Sequence, residues 1–198
     1  MKTKRVLAVV LAATTILGAS LTAFATTEAA SGSSTPSEPA APTYAAASVA
    51  GVKSTAAGSI VATNIQGAAI TTPKESLNSN LGLADGEKAW VKVSNFDAKK
   101  SKDAKVVVDA IVSALGVKAG PAVNFECGKM ANGKYTKLEN GTVSAAFQVD
   151  GDFSKGKTLS AIKVTSAGAA ILPDTDNNPY TITVNTTVEP QVLQIVAQ

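Results

Sequence analysis

The stretch FECGKMANGKYTKLENGTVSAAFQV, residues 125–149, decides how the rest of the chain is read. Three runs in and around it alternate apolar with polar side chains: AVNFECGKM (122–130), KYTKL (134–138) and TVSAAFQV (142–149). A period of two sends successive side chains to opposite faces and marks half-buried strands. Between the runs stand Asn132-Gly133 and Asn140-Gly141. Asn-Gly is the strongest short hairpin signal, because a tight turn needs positive φ at both central residues and these two tolerate it. The stretch predicts consecutive antiparallel strands.

Further strand-like runs follow: TLSAIKVT (158–165), AAIL (169–172), YTITV (180–184) and QVLQIVA (191–197). On the N-terminal side, KAWVKVSNF (88–96) sets Ala89, Val91 and Val93 against Trp90, Lys92 and Ser94, while SIVATNIQGAAITT (59–72) reads as two strands meeting near Gln66-Gly67. Thr72, Pro73 and Glu75 have the spacing of a capping box opening a brief helix that Gly82 ends. The strongest helical signal is SKDAKVVVDAIVSALG (101–116), with Ser101 as cap, Asp103 in the first turn and Gly116 as stop. Ala104, Val107, Val108, Ile111, Val112 and Leu115 make one apolar stripe. This helix lacks the large apolar anchors and rich basic face of a membrane-surface helix, so it is expected to pack on the protein's own sheet. Strands spaced by about eight to twelve residues predict a mainly β, Ig-like antiparallel β-sandwich over residues 48–198, with one amphipathic crossing helix at about 101–115.

The first 25 residues have a different logic. Lys2, Lys4 and Arg5 precede an apolar run from Val6 to Leu17 and a small-residue end at Ala23-Phe24-Ala25, the layout of a secretory signal peptide cleaved after Ala25. The apolar run is shorter than the roughly 20 residues that span a bilayer, which disfavours an uncleaved anchor. Thr26 stands where a bacterial lipoprotein needs cysteine. Residues 26–47 hold Thr, Ser, Ala and Pro with almost no large apolar side chain, and are expected to form a disordered linker.

Three of the eighteen basic residues fall in the signal, leaving fifteen against fifteen acidic ones. A neutral mature chain has no footprint for nucleic acid, which needs clustered surplus Lys and Arg. Lys99, Lys100, Lys102 and Lys105 alternate with Asp97 and Asp103 as a solvated face does. The mature chain has neither histidine nor arginine, which excludes an imidazole base, a His-ligated metal and a guanidinium clamp. The single cysteine, Cys127, alternates with Val123 and Phe125 and reads as a buried small hydrophobe. Asp150 and Asp152, two apart around Gly151, read as a polar turn and not as an acid–base pair. The chain is expected not to be an enzyme.

One segment supports several readings. LPDTDNNPY (172–180) begins like a sortase signal, but Asp176 replaces the required glycine, and residues 177–198 contain no Lys or Arg. Asp174, Asp176 and Asn178 offer hard oxygen ligands at alternating positions, as in the first half of an EF-hand loop. Pro179 then stands where that loop needs glycine and Asn185 where it needs glutamate. The preferred reading is a turn, since Asp and Asn side chains bond back to their own backbone. A calcium site at Asp174, Asp176 and Asn178 is the alternative, and no other cofactor is expected. Asn140-Gly141-Thr142 and Asn185-Thr186-Thr187 match the glycosylation pattern, read here as coincidence.

Residues 88–198, above all TLSAIKVTSAGAAILPDTDNNPYTITVNTT (158–187), resemble a β-sandwich module near the C-terminus of uncharacterised secreted proteins of Gram-positive anaerobic bacteria. Gly168, Leu172, Asp174, Asp176, Pro179, Thr181 and Thr183 carry the likeness to that family's Leu-x-Asp-x-Asp-x-x-Pro loop. The resemblance implies secretion and a sandwich, and brings no activity with it.

The expectation is a secreted or loosely surface-associated non-catalytic protein for adhesion, recognition or structural spacing, with an extracellular polysaccharide or a surface protein as partner. It is expected to bind neither nucleic acid nor, after signal cleavage, membrane; the sequence leaves oligomeric state open. The alternative is a calcium-assisted carbohydrate-binding module with Trp90 as its aromatic contact. An exposed Trp90 favours that alternative and a buried one removes its support.

Overall fold

The computed structural model describes residues 47–198. Residues 1–25, expected to be a signal peptide, and nearly all of 26–47, expected to be a linker, lie outside the described residues. Twelve strands and three helices follow one another: β1 (Ser48–Val49), β2 (Val52–Lys53), β3 (Ala57–Ile60), β4 (Gly67–Ile70), α1 (Lys74–Asn80), β5 (Lys88–Asn95), α2 (Lys102–Leu115), β6 (Lys118–Ala131), β7 (Lys134–Lys137), β8 (Thr142–Gln148), α3 (Gly151–Ser154), β9 (Leu159–Thr165), β10 (Gly168–Pro173), β11 (Thr181–Thr187) and β12 (Gln191–Ala197).

The fold is mainly β and has two principal sheets. The larger runs β10-β9-β12-β6-β5-β3, with β7 hairpinned onto β6; the smaller runs β11-β8-β4. Ile60, Val91, Val93, Phe125, Cys127, Leu193 and Ile195 of the large sheet share one core with Ile70, Ala145, Phe147, Ile182 and Val184 of the small one. Phe125 meets Phe147 edge to face across the gap, ring centres 5.9 Å apart at 80°. On the other face of the large sheet, α2 seats Ala104 and Val108 against Ile162, Val164, Val192 and Val196. On the other face of the small sheet, Val49 of the β1–β2 hairpin covers Ala69 and Ala146. Four layers result: helix, large sheet, small sheet, hairpin.

The expected antiparallel order needs one correction. β3 runs parallel to β5, with Ala57 opposite Trp90 and Ile60 opposite Val93. Between them the chain crosses to the small sheet as β4 and returns through α1, and a crossover of that length permits parallel pairing. Residues 59–72 therefore do not form a hairpin near Gln66-Gly67. Asn132-Gly133 does make its tight turn, with φ of 50° and 73°. Asn140-Gly141 instead carries the chain from β7 in one sheet to β8 in the other, with Gly141 pressed on Asn80 and Leu81.

Among the described residues there are three helices: the brief α1 and the amphipathic α2, both expected, and the one-turn α3, which was not. α2 matches its expected span and ends at Gly116, whose φ of 64° turns the chain so that Val117 N–H reaches the Val112 carbonyl at 3.4 Å, while Gly116 N–H bonds the Val112 and Ser113 carbonyls. The capping box before α1 is not made: Pro73 occupies the cap position, and Thr72 Oγ1 accepts from Ser144 N–H at 2.7 Å instead. A bond from β8 took the hydroxyl.

β12 is buried along its whole length between β6 and β9. Its register on β6 slips once, because Gln194 pairs with Ala122 while Val196 pairs with Ala119, leaving Ile195 opposite both Gly120 and Pro121. Proline has no N–H for a ladder and enters a sheet interior at a bulge. Gln194, 7 % exposed, donates from Nε2 to the Gly120 carbonyl at 2.7 Å and lies 3.3 Å from that of Pro121. The buried amide thus satisfies carbonyls that the bulge takes out of the ladder. Gln194→Ala is expected to lower stability by about 1–3 kcal/mol in urea unfolding, the cost of a buried polar group left without its partner.

Candidate functional site

The segment 174–180 carries the chain from the edge of the large sheet to β11 of the small one. Asp174 Oδ1 accepts from Asp176 N–H at 3.1 Å and Thr183 N–H at 2.9 Å. Asp176 Oδ1 accepts from Asn178 N–H at 2.7 Å, while its Oδ2 accepts from the hydroxyls of Thr181 at 2.9 Å and Thr183 at 2.6 Å. Asn178 Oδ1 accepts from Tyr180 N–H at 3.0 Å. Three successive side chains each bond to the backbone two residues on, the geometry that favours Asp and Asn in turns. Thr175 N–H to the Thr183 carbonyl at 2.8 Å ties the turn to β11. Asp174 Oδ1, both Asp176 oxygens and Asn178 Oδ1 are thus engaged with protein donors. Burial, only partly offset by backbone bonds from Thr183, Asp176 and Thr175, pushes the Asp174 carboxyl above its ordinary value.

Asp176, Asn177 and Asn178 also form one wall of an open depression of about 440 Å³ on the outer face of the small sheet, whose other walls include Val49, Val52 and Ala146.

Trp90 lies elsewhere. With Lys92 and Ser94 it points from β5 to the outer face of the large sheet, while Ala89, Val91 and Val93 enter the core. It is half-buried, flanked by Ala57 on β3 and Gly128 on β6. A side chain at position 128 would strike the Tyr135 ring and the Thr136 carbonyl, so glycine lets Tyr135 lie flat on the sheet beside the Trp90 position. Lys92 Nζ sits 3.6 Å from the centre of the Tyr135 ring. Tyr135 Oη donates to Glu126 Oε1 at 3.0 Å, and Lys92 and Lys137 stand 3.3 and 3.9 Å from the Glu126 carboxylate. Burial first, then the charge of Glu126, raises the Tyr135 hydroxyl's pKa and keeps it a donor. Farther along this face, Asn124 Oδ1 is buried without a protein donor.

The sequence candidates therefore do not form one site. Asp174, Asp176 and Asn178 flank the small sheet's outer face, and Trp90 lies on the opposite face of the sandwich. The grouping of Tyr135, Glu126, Lys92 and Lys137 around Trp90 was missed. Its signal was the Asn132-Gly133 hairpin, which folds β7 back along β6 and sets Tyr135 opposite Met130.

Cys127 and Asp150 have structural surroundings. Burial pushes the Cys127 thiol up to about 12, far from a reactive thiolate. Asp150 caps α3 by accepting from Asp152 N–H at 2.8 Å. No protein-family model, no curated protein and no solved structure matches the chain.

Two measurements test this geometry. Asp174→Asn keeps the Oδ1 acceptor and removes the buried charge. A raised carboxyl pKa means the folded state binds the proton more tightly, so the charge costs stability above the raised value and the cost disappears as pH falls through it toward the ordinary 3.8. The variant's advantage in melting temperature should be greatest near neutrality and vanish at acid pH, and added calcium or chelator should leave both midpoints unchanged; a calcium-dependent rise in the parent protein would instead make the loop a metal site. Separately, Cys127 should resist a disulfide-exchange probe in the folded protein and react stoichiometrically in guanidinium.

Proposed function

We propose that this is a secreted or surface-associated, non-catalytic β-sandwich module for adhesion or recognition, which takes a polysaccharide on the open half of the large sheet's outer face. The observation that carries this reading is the division of that face: α2 covers the part formed by β9 and β12, while Trp90, Tyr135, Lys92, Glu126 and Lys137 line the part formed by β5, β6 and β7. Aromatic rings supply flat apolar contact, and flanking charged groups supply hydrogen bonds that orient a hydroxylated ligand. Secretion rests on the basic, apolar and small-residue order of the first 25 residues. Membership in the secreted sandwich family, through Leu172, Asp174, Asp176 and Pro179, belongs to the same proposal, as does an Ig-like form of the sandwich. The chain's repeated exchange between facing sheets, at β3–β4, β7–β8 and β10–β11, supports that form.

Calcium has no part in this reading, since the acidic loop lies on the opposite side of the sandwich. The test is co-sedimentation with insoluble polysaccharides and purified cell walls, with calcium and with a chelator. Binding should survive chelation and fall at least tenfold in Trp90→Ala, whose melting temperature stays close to the parent's. Equal binding by Trp90→Ala would remove the proposed face, and no binding to any polysaccharide would leave a spacer or protein-binding module.

A further inference from the structure

We infer that β10 is a self-association edge, through which a second copy of this chain extends the large sheet across a two-fold axis. β10 has β9 as its only partner strand among the described residues. The side on which its backbone is satisfied follows from the neighbouring ladder. Thr158 and Gln198 exchange two bonds of 3.0 and 3.1 Å, so Thr158 and every second residue after it direct their backbone groups to β12. Ala161, Lys163 and Thr165 then direct theirs to Leu172, Ala170 and Gly168. Ala169, Ile171 and Pro173 point away from β9. Pro173 has no N–H to lose, but Ala169 and Ile171 present two N–H and two C=O groups to the open edge. Their side chains are exposed, Ile171 to 43 %.

The lack of charge admits a second copy as the occupant. In an isologous antiparallel pair each strand meets a copy of itself, so a charged residue near the axis meets its own like charge. β7 carries Lys134 and Lys137 in four residues, a common protection for a strand edge. The segment from Ser166 to Pro173 carries no charge, and within β10 no bulge or interior proline interrupts it. Placing the axis at Ala170 sets Ala169 opposite Ile171 of the second copy and the reverse. Four hydrogen bonds form, and each exposed Ile171 gains a small neighbour. The antiparallel order of β9 and β10 continues unbroken into the second copy.

Sedimentation equilibrium of the purified protein is expected to show a concentration-dependent dimer. Ile171→Pro removes an outward N–H and leaves the bonds to β9 in place, and should weaken the dimer at least tenfold. Ala170→Lys places like charges across the axis and should weaken it similarly, with partial recovery in high salt; it carries the test alone if the proline variant does not fold. Ala170→Cys should give a covalent dimer on mild oxidation, with buried Cys127 contributing no background. A monomer at every concentration, or a dimer that a folded edge variant leaves unchanged, overturns the inference.

Discussion

β12 is held at both edges and on both faces, and each layer of the fold is built against it or against a strand it holds. Leu193, Ile195 and Ala197 face the small sheet, while Val192 and Val196 face α2. Replacing any of these side chains would disturb two ladders and a packed layer together, in an interior too dense to absorb the change. The strand also carries two buried glutamines. Gln191 donates to the Thr187 carbonyl at 2.6 Å and accepts from Thr186 Oγ1 at 2.6 Å, while Gln194 serves the bulge at Pro121. Such amides leave few alternative registers. A one-residue slip would exchange the two apolar faces and leave both amides without partners.

This centre lets the periphery vary in character. The large sheet's outer face is half covered by a helix and half open with aromatic and charged residues. The small sheet's outer face is partly covered by a two-strand hairpin, with an open, mainly apolar depression between hairpin and acidic loop. The acidic loop is tied internally and to β11: Asp174, Asp176 and Asn178 accept from backbone N–H groups of the loop, and Asp174 and Asp176 also accept from Thr183 and, for Asp176, Thr181. A carboxylate used in this way reinforces the corner where the chain changes sheets.

Local signals were most legible. The alternation in 88–96, the helical stripe in 102–115 and the Asn132-Gly133 turn depend on neighbours a few residues apart, and each has its expected form, save that Leu115 at the end of the stripe is exposed. Partner choice was not legible, because it depends on distant segments. Gln66-Gly67 and Asn140-Gly141 carry hairpin residues but link different sheets, and the parallel β3–β5 pair follows only from the whole path through β4 and α1. Thr72 shows how tertiary context overrides a local rule, since Ser144, seventy-two residues away, takes the hydroxyl that a capping box needs. In the candidate site, the facing of Trp90 and Lys92 followed from period-two alternation. Tyr135 did not, because its place over Gly128 depends on a glycine whose missing side chain carries no pattern.

The order of elements along the chain also has a kinetic meaning. β6 and β9, neighbours of β12 in space, are synthesised before it, and until residues 191–197 have emerged they have no strand between them. The apolar faces of β9 and α2 stay without their shared partner during that interval, and sequence-distant pairing of this kind closes slowly. With the keystone strand placed after all its partners in sequence, the core of both faces of the large sheet closes only when residues 191–197 are added.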